Sequence, residues 1–251
     1  MTKRTTMELK RLARENLIGN YIPVIFAMLT AFFMPIALLG PFTPRKIGKL
    51  SFEWIIPALA AFILAVLGQL LVVCVVRIHI LLARKQRLVY KDMYWAFFNQ
   101  PDRFLSAALL LAAVFILPAV PSAFGMYYLA VQNMHAGKIL LASAAVVFLA
   151  AEIYIAYMLE LVYPLCIDRP QMSAVEGFRM SCTLMRGNKM RFLRLQLSFI
   201  GWYLLGVCSA GIGFLWIIPY IGQTSANFYL DLTGQLDQAQ QDGGTDYEDG
   251  V

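Results

Sequence analysis

Charged side chains are scarce in this sequence. Only 14% of its 251 residues are Asp, Glu, Lys or Arg, whereas 60% are hydrophobic. Soluble domains carry about 25% charged and roughly 45–50% apolar residues. An apolar excess of this size is too large for the core of a soluble domain of this length, so the composition predicts a polytopic membrane protein.

Groups that bind metals or take part in catalysis are equally sparse. The two histidines, His79 and His135, lie far apart, and the four cysteines have neither metal-site spacing nor a close pair. There is no Gly-x-Ser-x-Gly, no phosphate-binding glycine loop and no His-Glu-x-x-His. The sequence therefore predicts no metal, no cofactor and no catalytic residue, and it favours a protein that is not an enzyme.

Basic residues outnumber acidic ones, 21 to 15, which gives a net charge of +6. They flank apolar runs rather than forming a patch with interleaved aromatic residues. This placement indicates membrane topology and argues against nucleic-acid binding.

Uncharged runs predict where the chain crosses the bilayer, because a spanning helix needs about 20 apolar residues. The run from Leu195 to Leu230 would form a helix of roughly 54 Å, too long for one pass of about 30 Å. We expect it to fold back at Gly211 and Gly213. The prediction is an all-α bundle of six spans, with five as the alternative, at 21–40, 54–76, 104–124, 139–163, 189–209 and 214–233. These lie in one membrane domain, residues 1–234, followed by an acidic tail, 235–251, that lacks the apolar content to pack.

Two amphipathic helices are predicted outside the spans, each opened by a capping box. Thr5 and Glu8 begin the first, whose apolar stripe is Leu9, Leu12, Ala13 and Leu17. It either lies at the membrane surface or extends the first span. Ser173 and Glu176 begin the second, just before span five, and Gly187 is placed to end it.

Lys and Arg residues set the predicted orientation, since cytoplasmic loops carry an excess of them. The N-terminus and the segments between spans two and three and between spans four and five are the most basic. The first outer loop, with Arg45, Lys46 and Lys49, is the exception. With six spans, both termini are predicted to be cytoplasmic.

One group of cations is dense enough to suggest a binding surface: Arg179, Arg186, Lys189, Arg191 and Arg194. On the functional interpretation it binds anionic lipid, at about 1 kcal/mol for each cation, or an unidentified membrane-protein partner. On the structural interpretation these charges only fix the orientation of a connecting helix. The oligomeric state is not indicated by the sequence.

Glu152 and Glu160 are the acidic residues of the fourth predicted span. An acidic group at mid-bilayer costs roughly 2.5–3.5 kcal/mol, so its presence suggests a proton or cation path. The two lie roughly 80° apart around a helix and could line one cavity. The structural alternative is hydrogen bonding of Glu152 to a neighbouring helix and an interfacial position for Glu160.

The last third of the chain contains an ordered series of motifs: Asp168-Arg169-Pro170, Ser173 to Glu176, Met185 to Lys189, Leu197 to Trp202, Gly211-Ile212-Gly213, Pro219-Tyr220 and Phe228 to Leu232. Together with Leu9 to Tyr21, this series resembles the bacterial integral-membrane family catalogued as domain of unknown function 975. The resemblance covers nearly the whole chain and implies a bacterial plasma membrane, but no reaction. Ala151-Glu152-Ile153 stands where the family usually has Pro-Gly-Ile.

Three functional hypotheses follow. The first is a non-enzymatic protein of the plasma membrane that acts by binding, as a scaffold, a regulator or a protective partner in the envelope. The second is a transporter or channel component that uses Glu152. The third is a lipid-modifying membrane enzyme or accessory domain, which needs polar groups that meet at one membrane face.

Overall fold

The computed structural model describes residues 3–39, 55–115 and 135–238, with side chains at 3–38, 55–115 and 145–238. Within these ranges the chain is helical and contains no strand. The helices are α1 (Thr6–Leu17), α2 (Tyr21–Leu39), α3 (Ile55–Ala83), α4 (Trp95–Phe98), α5 (101–115), α6 (His135–Leu159), α7 (Val162–Asp168), α8 (Ala174–Met185), α9 (Lys189–Leu197), α10 (Ile200–Cys208) and α11 (Phe214–Thr233), with a 3₁₀ turn at Tyr90–Tyr94.

The N-terminal amphipathic helix is separate from the first apolar helix. The Thr5–Glu8 capping box opens α1, and Gly19, with a φ of +81°, separates it from α2. The predicted stripe of Leu9, Leu12, Ala13 and Leu17 is buried, and α1 packs against α11. Protein therefore covers the apolar face of α1.

Three described stretches are long and apolar enough to cross a membrane: Tyr21–Leu38, Ile55–Ala83 and Ala145–Asp168. Only 11%, 22% and 17% of their apolar windows are buried inside the protein. Most of the apolar surface of these helices therefore faces outward. Because water does not favour such a surface, this arrangement is consistent with a membrane location.

Two of the predicted spans, five and four, differ from the structure. Span five, predicted at 189–209, is divided at Ser198 and Phe199 into α9 and α10, which have 9 residues each. Span four contains a break at 160–161, between α6 and α7. Span three begins as α5, but residues 116–124 lie outside the described chain.

The hairpin that links the last two helices has the predicted turn. Ala210 and Gly211 have positive φ values of 53° and 90°, and α11 begins at Phe214, directly after Gly213. The Ser209 hydroxyl accepts a hydrogen bond from the Gly213 amide at 2.8 Å. The same turn lets α10 pack against α11.

The packing centre of the fold is α11, which contacts α1, α2, α3 and α10. Residues 235–238, at the start of the predicted disordered tail, continue as a short helix whose Leu236 is buried. The rest of that tail lies outside the described residues.

Candidate functional site

A buried carboxylate, Asp168, lies at the C-terminal end of α7. Its side chain is 6% exposed and pairs with Arg84, which follows α3, at 2.6 Å. Tyr229 of α11 donates a hydrogen bond to the same oxygen at 2.7 Å. Arg84 also donates to the Gln235 side chain at 2.6 Å. Three segments that are distant in sequence therefore meet at one carboxylate.

Asp231, two residues beyond Tyr229, forms a second centre of the same kind. Its side chain is also 6% exposed, and it pairs with Arg191 of α9. The main-chain amide of Arg4 donates to Asp231 at 3.3 Å, and Arg191 donates to the Arg4 carbonyl at 2.7 Å. Arg4 pairs in turn with Asp237 at 2.6 Å. We call the Asp168 and Asp231 centres together the polar junction.

The polar junction joins the N-terminus, the end of α3, the end of α7, the start of α9 and the end of α11. Breaking a buried ion pair by removing one partner costs about 3–5 kcal/mol, so these contacts fix how the helices meet. Guanidinium groups pair with both carboxylates.

The predicted basic cluster does not act as one group in the structure. Arg191 belongs to the polar junction, where it pairs with Asp231, and its guanidinium also lies 5.1 Å from the Phe228 ring centroid. Lys189 donates to the Tyr154 hydroxyl at 2.7 Å. Arg179, Arg186 and Arg194 are exposed. The five cations therefore divide into two held by protein contacts and three turned outward.

The second capping box positions one of these outward arginines, Arg179. Ser173 and Glu176 exchange the expected hydrogen bonds, and α8 ends before Gly187, whose φ is +84°. The Ser173 amide and hydroxyl, with Arg179 one turn away, hold the pKa of the Glu176 carboxyl below its ordinary value. Because the box fixes the start of α8, it also fixes the face on which Arg179 lies.

Lys10 of α1 stabilises the end of α9. Its ammonium donates to the Ser198 carbonyl at 2.8 Å and lies 3.9 Å from the Phe199 ring centroid. Burial lowers the pKa of this lysine. A cation at a helix C-terminus satisfies free carbonyls and complements the helix dipole. This contact gives a physical reason for the break between α9 and α10.

Glu152 is half-buried in α6. Its Oε1 atom is buried and has no hydrogen-bond partner among the described residues. Glu160 instead lies at the break after α6, where its side chain is exposed, beside Ser225 of α11. The two residues are eight positions apart, roughly 12 Å along a helix.

Two buried polar contacts were not predicted. His79 Nδ1 lies 3.0 Å from the Gln223 amide oxygen, and the Gln223 amide donates to the His79 carbonyl at 3.1 Å. Arg103, also buried, donates to the carbonyls of Cys166, Arg169 and Pro170 at the end of α7. For His79 and Gln223 the available sequence signal was a polar side chain within an apolar run, but that signal does not identify the partner.

Metal ligands do not converge in the described part of the chain, where no group of three or more His, Cys, Asp or Glu residues could hold an ion. The four cysteines are free, with Cys74 and Cys166 buried. Asp92 instead pairs with Arg77 at 3.3 Å. Arg77 in turn stacks 4.1 Å from the Trp95 ring centroid.

Comparison with known proteins gives one family match. A family model described as "Protein of unknown function (DUF975)" matches residues 1–235. No curated protein and no solved structure matches the chain. The matched range contains every residue of the polar junction except Asp237.

Proposed function

The chain belongs to this family of unknown function, and we propose that it is a multi-pass protein of the bacterial plasma membrane that acts by binding. Its role is that of a scaffold, a regulator or a protective partner in the envelope. Arg179, Arg186 and Arg194 form the binding surface, and anionic lipid headgroups are its ligands. The division of the basic cluster carries this proposal.

The membrane location is supported by the three apolar stretches whose surfaces face outward. The orientation is supported by the polar junction, which brings the N-terminus together with the ends of α3, α7 and α11. Segments that bond to one another lie on one side of a membrane. The basic character of these segments assigns that side to the cytoplasm.

The binding role is supported by a difference between two groups of arginines, one held by protein contacts and one exposed. Arg77, Arg84, Arg103 and Arg191 are held in ion pairs or by main-chain carbonyls. Arg186 and Arg194 form no ion pair within the described ranges, and Arg179 lies near Glu176 of its own helix. Three outward cations close to an anionic leaflet contribute about 1 kcal/mol each.

Lipid retention tests the surface. The full chain is reconstituted with phosphatidylglycerol, and the lipid that stays bound after purification is counted by native mass spectrometry. We expect R179Q/R186Q/R194Q to retain less lipid, with each lost cation weakening binding about fivefold. The matched control, R179K/R186K/R194K, keeps the charge and retains the lipid. Equal retention by all three proteins would contradict the proposed surface.

Transport is the second candidate function, and one observation favours it. The buried Oε1 of Glu152 has no partner in the described residues, as expected for a group that binds a transient ion or proton. Proton and cation flux into vesicles that contain wild type or Glu152→Gln separates the two functions. Flux above that of empty vesicles, abolished by Glu152→Gln, would establish transport and displace the binding role.

A further inference from the structure

The segment between α3 and α5 folds back along α3. The Ala96 amide of α4 donates a hydrogen bond to the Cys74 sulfur of α3 at 3.4 Å. In the 3₁₀ turn before α4, Asp92 pairs with Arg77 of α3 at 3.3 Å. Cys74 lies roughly 13 Å before the end of α3 at Ala83. The chain therefore leaves the end of α3 and returns alongside its last turns.

This return brings α4 to the level at which α3 leaves the hydrocarbon core of a membrane. α3 has 29 residues and is roughly 43 Å long, whereas the core is about 30 Å thick. Counted from Ile55, a stretch of about 20 residues covers that thickness and ends near Cys74. Arg77 is the first charged residue of α3, and such a charge belongs among the headgroups. Both considerations place α4 at the edge of the hydrocarbon core.

Three aromatic side chains of this segment are exposed. Tyr94, Phe97 and Phe98 are 47%, 36% and 79% exposed, and we call them the aromatic face. The Tyr94 and Phe98 rings contact each other edge-on, with their centroids 6.3 Å apart. Their neighbour Trp95 is held in place by the Arg77 guanidinium, which lies 4.1 Å from the Trp95 ring centroid. The aromatic face therefore belongs to a segment that is fixed against α3, and its exposure is not that of a loose loop.

Exposed cations flank the aromatic face. Between residues 84 and 103, all of which the structure describes, Lys85, Arg87 and Lys91 are exposed, together with one exposed carboxylate, Asp102. A cation close to an anionic leaflet contributes about 1 kcal/mol. Aromatic rings are enriched at the level of the headgroups. A segment that presents both kinds of side chain suits the surface of an anionic bilayer.

We propose that the aromatic face inserts into the cytoplasmic leaflet of the bilayer that α3 crosses, with anionic lipid headgroups around Lys85, Arg87 and Lys91. The connection between α3 and α5 is then an interfacial anchor, whose rings reach about 5–10 Å into the boundary between headgroups and acyl chains. The level of α4 on α3 favours lipid over a soluble protein as the occupant of this face. The proposal rests on the membrane location proposed above, but not on the basic surface of α8 and α9.

Spin labels that report depth in the membrane test this proposal on the full chain, reconstituted in vesicles that contain phosphatidylglycerol. Alanine replaces Cys182 and Cys208, and the buried Cys74 and Cys166 are kept. A nitroxide is then attached singly to Phe98→Cys, Tyr94→Cys, Lys85→Cys or Phe62→Cys. For each label, collisions with oxygen, which concentrates in the bilayer, are compared with collisions with a water-soluble nickel chelate.

We expect the Phe98 and Tyr94 labels to favour oxygen and to report a depth of about 5–10 Å. The Lys85 label is the matched control from the same segment, and it should favour the chelate. The proposal is overturned if the Phe98 or the Tyr94 label is as accessible to the chelate as the Lys85 label. That result is the one expected of a surface that binds a soluble partner.

The Phe62 label separates this proposal from the membrane location on which it rests. Phe62 is 48% exposed within the Ile55–Ala83 stretch, so its label should be shielded from the chelate whether or not the aromatic face inserts. A shielded Phe62 label beside an accessible Phe98 label overturns the interfacial anchor alone. An accessible Phe62 label overturns the membrane location, and the interfacial anchor with it.

Discussion

Tyr229 of α11 donates a hydrogen bond of 2.7 Å to the carboxylate of Asp168 at the end of α7. The two residues are 61 positions apart in the sequence. Both lie in motifs on which the family resemblance rests. The contact joins two of these motifs, since one supplies the Asp168 carboxylate and the other supplies Tyr229, its donor.

Tyr229→Phe should destabilise the protein, because the buried Asp168 carboxylate loses a donor. We expect the free energy of unfolding to fall by about 1–3 kcal/mol, measured by denaturant titration in detergent micelles. Tyr90→Phe is the control, since Tyr90 is 82% exposed, and its effect should stay within about 0.5 kcal/mol. Equal effects of the two substitutions would remove the energetic role assigned to the Tyr229 hydroxyl.

The same substitution should have a large effect on stability at one arginine of α9 and almost none at another. Arg191→Gln leaves the Asp231 carboxylate buried without its charge partner and should cost about 3–5 kcal/mol of unfolding free energy. Arg194 is exposed, so Arg194→Gln should change stability by less than about 0.5 kcal/mol. Thermal unfolding of both variants in one detergent measures the difference. If Arg194→Gln is the more destabilising, the division of the basic cluster is wrong.

Two glycines of α10 provide a matched pair for testing the α10–α11 hairpin. A Cβ atom at Gly206 would lie 2.6 Å from the Phe214 ring, whereas one at Gly201 would meet nothing within 4 Å. Gly206→Ala should therefore cost about 1–3 kcal/mol through overpacking. Gly201→Ala should leave stability unchanged or raise it by up to about 1 kcal/mol, since alanine favours helix. Both changes in stability are measured by thermal unfolding. If the Gly206→Ala variant were as stable as wild type, the close packing of α10 against α11 would be contradicted.

The capping box of α1 should make that helix sensitive to acid. The Thr5 amide donates to the Glu8 carboxylate at 2.7 Å, and this bond holds the pKa of Glu8 below its ordinary value of 4.5. Because the pKa of Glu8 is lower in the folded chain, its contribution to stability is complete above the pKa that it has in the unfolded chain. That contribution is lost as the pH falls through the pKa of the folded chain. Amide hydrogen exchange of α1 should therefore lose protection as the pH is lowered below 4.5, the ordinary pKa of Glu8.

Glu8→Gln is the control for this prediction, because it removes the titrating group and should abolish the pH dependence of α1 exchange. A wild-type α1 whose protection does not change across this range would show that the box does not stabilise the helix. If the glutamine variant kept the full pH dependence, another group would be responsible.

Local features of the fold were largely predictable from the sequence. Two predicted spans, 21–40 and 214–233, coincide with helices, α2 at Tyr21–Leu39 and α11 at Phe214–Thr233, but of these two only α2 is among the described stretches apolar enough to cross a membrane. Both capping boxes and the turn at Gly211 also occur where expected. Each depends on residues within a few positions of one another, and such short patterns are visible in a single sequence.

Long-range contacts account for what the sequence did not reveal. No proline or glycine marks the break at Ser198, and the α1 lysine that donates to its carbonyl is 188 residues away. Arg191 and Arg194 look alike in the sequence, and only the distant Asp231 distinguishes them. The His79–Gln223 contact spans 144 residues. Periodicity describes which face of a helix is apolar, but it does not identify the partner of a buried polar group.

Cysteine labelling in intact cells tests the proposed topology, in which the polar junction is cytoplasmic and the α10–α11 turn lies on the opposite side of the plasma membrane. Arg11, Arg186 and Ile212 are exposed, and each is replaced singly by cysteine after alanine replaces the native cysteines. A membrane-impermeant maleimide should label Ile212→Cys in intact cells, and should label Arg11→Cys and Arg186→Cys only after permeabilisation. Labelling of Arg186→Cys in intact cells, or the same result at all three positions, would contradict this topology.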